Sequence, residues 1–115
     1  MKSQFQIKAA NVDEEGIQVR KIMLDAASKY GLFENTTTSE VPHTILSLVE
    51  RSGFGFGLGS RISDGLILVD FNPRGGDLAK LDQIKTHLRH ALGRLFRARL
   101  MEIMEDAPSY VGLNQ

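Results

Sequence analysis

The stretch Gly53-Phe54-Gly55-Phe56-Gly57-Leu58-Gly59 constrains this chain more than any other. Alternation is strict, with glycine at every second position and a large apolar residue between. Helix formation is unfavourable where glycine recurs so often, whereas a strand sorts the two sets onto opposite faces. Asp64-Gly65 follows as a turn pair. Leu66 to Asn72 is then an almost unbroken apolar run, as expected of a strand covered on both sides. The spacing therefore predicts a hairpin of 54–62 and 66–72, with its second strand central.

The remaining elements are predicted around this hairpin. Phe5, Ile7 and Ala9 alternate with Gln4, Gln6 and Lys8, the pattern of a half-buried strand. Asn11 offers an N-cap, with Glu14 placed to complete a capping box. Val12, Gly16, Val19, Met23, Ala26, Ala27 and Tyr30 then recur at helical spacing, and Gly31 supplies a stop, with Leu32 as its apolar contact. A helix over 12–30 follows. Glu34 to Ser39 reads as a polar loop. Val41, Ile45, Leu48 and Val49 form a helical stripe with Ser39 as cap and Pro42 in the first turn. The alternative for 44–49 is a strand, disfavoured by poor alternation.

After Asn72-Pro73-Arg74-Gly75-Gly76, Asp77 caps a long final helix. Its seam is Leu78, Leu81, Ile84, Leu88, Leu92 and Leu95, and Asp106-Ala107-Pro108 stops it. The pattern blurs after Phe96, where Arg99 would point into the core, so either the helix bends near Gly93 or core contact ends there. Residues 107–115 read as a flexible tail.

The 115 residues suit a single domain over 1–115. The expected fold class is α+β: a small sheet of three strands, or four, with two or three helices packed on it, in the order β-α-(α)-β-β-α. Cysteine is absent, which excludes disulfides, thiol catalysis, thiolate zinc sites and cysteine-ligated iron–sulfur clusters. The N-terminal residues lack the apolar core of a signal peptide, and the longest aliphatic run, Leu66–Val69, is far too short to span a membrane. The expectation is a cytoplasmic protein without membrane contact.

Three constellations bear on function. First, Gln83 to Leu100 holds Lys85, Arg89, Arg94, Arg97 and Arg99 with His87 and His90, and no acid. On a helical wheel Lys80, His87, His90, Arg94 and Arg97 lie opposite the leucine seam. Such a stripe suits nucleic acid or an acidic protein surface, even though 14 basic residues balance 14 acidic ones in the whole chain. A solvated helix face is the plain alternative. His87 and His90 have the spacing of two metal ligands, but a third is not evident, and no metal site is expected.

Second, the glycine-faced strand implies a close approach to its backbone by a helix, a second subunit or a flat ligand. Phe54, Gly55, Phe56 and Gly57 are the candidate interface of a homo-oligomer. Its superficial GxGxG lies within a strand and is no dinucleotide fingerprint, and no cofactor is expected. Third, Arg74, Gly75 and Gly76 precede a helix start, where an anion can be held, although the lysine of a P-loop is missing. No triad or carboxylate pair points to catalysis, so a non-enzymatic binding module is favoured over an enzyme. The alternatives are a homo-oligomeric structural or regulatory protein and a small anionic-ligand binder or enzyme at 72–77.

Overall fold

A computed structural model describes residues 3–34, 46–51, 53–73 and 78–104. Along the chain these form β1 (Ser3–Lys8), α1 (Val12–Tyr30), β2 (Phe33–Glu34), β3 (Leu46–Val49), β4 (Gly55–Arg61), β5 (Leu66–Asn72), α2 (Leu78–Phe96) and β6 (Leu100–Met104). The strands make one antiparallel sheet of six, ordered β2-β3-β4-β5-β1-β6. The α+β class stands, but a sheet of three or four strands with two or three helices does not. Among the described residues there are six strands and two helices.

The two helices pack side by side and cover one side of the sheet. Cross-strand register assigns the faces. Phe5 lies opposite Val69, which lies opposite Leu58, which lies opposite Leu46. All four are buried, together with Val19 and Met23 of α1 and Ile84, Leu88 and Leu92 of α2. Phe71 joins three strands. Its ring meets Phe5 edge-on at 5.3 Å between centroids and Phe56 at 5.8 Å, geometry that aromatic rings favour.

Local signals fix α1 as expected. Asn11 accepts a hydrogen bond from the Glu14 backbone N–H at 3.0 Å, and Gly31 closes the helix at a φ of +76°. The returning carboxylate of the cap is Glu15 rather than Glu14: it accepts the Ala10 N–H at 2.8 Å. The hairpin is also as read, but its connection is wider than a two-residue turn. Ile62–Asp64 form one 3-10 turn, which Gly65 closes at a φ of +66°.

Two segments depart from the reading. Residues 46–49, favoured as helix, are β3: Leu46 and Leu48 enter the core while Ser47 and Val49 alternate away. Four residues give too little alternation to outweigh an accidental helical stripe, and pairing with β4 decides the outcome. Residues 41–45 lie outside the described set. The final helix, expected to run to 106, ends at Phe96. Arg97 adopts a φ of +53°, Arg97–Arg99 make a 3-10 turn, and the chain returns as β6 along the open edge of β1. Arginine, leucine, methionine and glutamate are good helix formers, so propensity argued the wrong way here. A non-local edge with unpaired backbone groups prevails. The 107–115 tail is outside the described residues.

Candidate functional site

The acid-free basic run acquires acids in space. Arg89 donates from Nε and Nη2 to both carboxylate oxygens of Glu102 on β6, at 2.8 and 2.9 Å. Arg99 forks Glu15 of α1 end-on, donating from Nη1 and Nη2 at 2.9 Å to each oxygen. These are bidentate, charge-assisted pairs, and each arginine holds its carboxyl below the usual range, chiefly by hydrogen bonding. Lys85 lies within the buried face of α2, with Nζ 5.6 Å from the centre of the Phe71 ring. Two of the five cations in the run are therefore paired within the fold, and a third is turned away from the exposed helix face.

The predicted stripe is divided. Lys80 and His87 are half-buried, and His90 and Arg94 are exposed on α2. Arg97, also exposed, has left the helix for the left-handed turn. His87 faces α1: its ring meets Tyr30 edge-on at 5.7 Å between centroids. Burial lowers its pKa first, and the positive charges of Lys29 and Arg94 add to that. A shallow hollow bordered by Tyr30, Asp82, Gln83, Thr86 and His87 lies alongside. Among the described residues no group of three potential metal ligands occurs, and no helix is long and apolar enough to cross a membrane. Arg74, Gly75 and Gly76, the proposed anion site, lie outside the described residues.

The glycine-faced strand resolves into two different sides. Phe54 and Phe56 are buried beneath the helices and offer no interface. Gly55 and Gly57 lie on the opposite side of the sheet. There the close approach comes from the neighbouring strand, not from a helix. A Cβ on Gly55 would fall within 2.3 Å of the Leu48 carbonyl oxygen, and one on Gly57 within 3.2 Å of that of Leu46. Gly59 has nothing within 4 Å and needs no such explanation.

On this second side, register sets the side chains in rows. Arg61, Leu66 and Lys8 form one row. Gly59, Leu68, Gln6 and Met101 form the next. Ser47, Gly57, Asp70, Gln4 and Ile103 follow, and Phe33, Val49, Gly55 and Asn72 complete the set. Gln4 donates through its amide to Asp70 within its row. No described helix covers this face. Leu68 is sunk at its centre, 8% exposed, whereas Met101 and Phe33 near the two edges are 60% and 56% exposed. Sequence reasoning found the glycines and missed this surface, because its apolar members come from β2, β3, β5 and β6.

The fold thus defines a two-layer α+β domain with one sheet face that no helix covers among the described residues. No protein-family model matches the chain, and no curated protein matches it either.

Proposed function

We propose that this protein is a self-associating interaction domain, with the bare sheet face as its contact with a second copy. The observation that carries the reading is the distribution of charge over that face. Lys8 and Arg61 flank Leu66 at one end, and Asp70 lies four residues further along β5, about 13 Å away at strand spacing. A two-fold axis laid along the Leu68–Met101 row reverses the strands of the partner. It sets Met101 on Met101 and Leu68 on Leu68. It also places Asp70 of one copy between Lys8 and Arg61 of the other, with Gly57 leaving room for the long arginine. Such a patch complements itself, as a two-fold contact requires, and face-to-face sheets pack about 10 Å apart. The basic helix supports a nucleic-acid or acidic-protein reading less well, since Arg89 and Arg99 are paired within the fold and Lys85 is buried away from the exposed helix face.

Sedimentation equilibrium tests the proposal. The expected result is a dimer that the Lys8→Glu/Arg61→Glu double variant dissociates and that adding Asp70→Lys to it restores. Arg94→Glu/Arg97→Glu leaves it intact. A monomer at about 1 mM, where even a contact worth about 4 kcal/mol is half-populated, overturns the reading. So does a dimer indifferent to the charge swap.

A further inference from the structure

The amphipathic pattern of α2 is inverted at one place. Leu78, expected in the seam, is 61% exposed, while Lys85 is 8% exposed. Between them is a cleft of about 310 Å³ bounded by Phe71 and Pro73 at the end of β5 and by Leu78, Leu81, Asp82 and Lys85 of α2. Its walls are mostly apolar. Lys85 makes no hydrogen bond or salt bridge among the described residues; its ammonium lies over the face of Phe71, and the Glu102 carboxylate of β6 attracts it at longer range. No sealed side-chain nitrogen or oxygen among the described residues lacks a partner. The ammonium is thus not sealed from solvent, and the Lys85 side chain lines the cleft.

A largely buried lysine has three donors and a full charge, and one aromatic ring together with a carboxylate already forked by Arg89 compensates only part of its desolvation. An anion in the cleft would complete it. Phosphate and dicarboxylates suit the site poorly, because Asp82 lines the same cleft and repels a second negative charge. The volume is at the small end for ligand sites, and the wall is apolar, with one cation at depth. We infer that this cleft binds a small monocarboxylate with an apolar body: the carboxylate on Lys85 Nζ, the body against Phe71, Pro73, Leu78 and Leu81. This site is independent of the sheet face on the other side of the molecule.

Titration by NMR or calorimetry with phenylacetate tests it, with the neutral isostere phenylacetamide and the dianion benzylmalonate as comparators. Phenylacetate is expected to saturate, with shifts confined to Phe71, Leu81 and Lys85, and to bind at least about tenfold more tightly than the amide, the size of effect a charge-assisted hydrogen bond produces. Lys85→Met, checked for folding by circular dichroism, removes that preference. Asp82→Asn, at an exposed position where folding is not at stake, admits benzylmalonate. Equal affinity for acid and amide, no saturation by either, or an acid preference that survives Lys85→Met overturns the proposal. A benzylmalonate affinity unchanged by Asp82→Asn removes the assigned role of Asp82 and with it the restriction to monoanions.

Discussion

The two sides of the sheet are built from alternate residues of the same strands, yet they obey different rules. On the helix side, Phe5, Ile7, Phe56, Leu58, Val69 and Phe71 interlock with α1 and α2, and large side chains hold the layers together. On the other side, the same strands present Gln4, Gln6, Gly55, Gly57, Gly59 and Asp70. There the close contacts are between backbones, within the sheet itself. One side is specified by volume, the other by the absence of volume.

Core truncation breaks this contrast most strongly. Phe5→Ala is expected to lower stability by about 3–5 kcal/mol, while Gln6→Ala, its neighbour on the opposite side, stays within about 0.5 kcal/mol. Urea denaturation of the pair measures the difference directly. Glycine substitution sharpens the contrast within the bare face. In Gly55→Ala the new methyl meets a backbone oxygen that cannot move aside without opening the β3–β4 ladder, at an expected loss of about 1–3 kcal/mol. Gly59→Ala enters open space and is expected to be neutral or to stabilise by up to about 1 kcal/mol through a less disordered unfolded chain. Equal losses at both positions would mean that the face is not organised by β3–β4 contact.

The smallest effect concerns the arginine forks at the rim. Both partners of Arg89–Glu102 retain solvent access, so Glu102→Gln is expected to lose only about 0.5–1 kcal/mol at neutral pH. Because the Glu102 pKa is lowered in the folded state, its contribution is complete above the usual carboxyl value of 4.5 and disappears as pH falls through the lowered value. Thermal melts should therefore show wild type and Glu102→Gln diverging at pH 7 and converging in acid. A constant gap across that range would show that the substitution acts through packing instead.

What could be read in advance followed from the range of the interactions. Residues 12–30 carry their own cap, stop and periodicity, and the glycine–aromatic alternation with Leu66–Asn72 carries its own pairing. Both were legible. β3 and β6 were not, since each is a short segment whose strand state is conferred by a distant neighbour, β4 in one case and β1 in the other. The counter-charges of the basic run were hidden for a related reason. Glu15 lies 84 residues before Arg99, on another helix, and Glu102 lies 13 after Arg89, within reach only because the chain leaves the expected helix and returns as β6. Lys85 was counted among the cations of that run, although its place four residues after Leu81 and three before Leu88 already sets it on the leucine seam.

The place of β1 between β5 and β6 has a consequence for how the chain is made. Ser3 finds its partners at Phe71 and Met104. At translation rates of about 5–20 residues per second, the last of these emerges on the order of 5–20 s after the first strand. During that interval α1 can form from local contacts, while the strand preceding it has neither neighbour until β5 emerges and only one until β6 does. Completion of the sheet at the ribosome is thus gated by the emergence of β6: a nascent chain that stops short of residue 100 carries α1 and the hairpin but leaves one edge of its first strand bare.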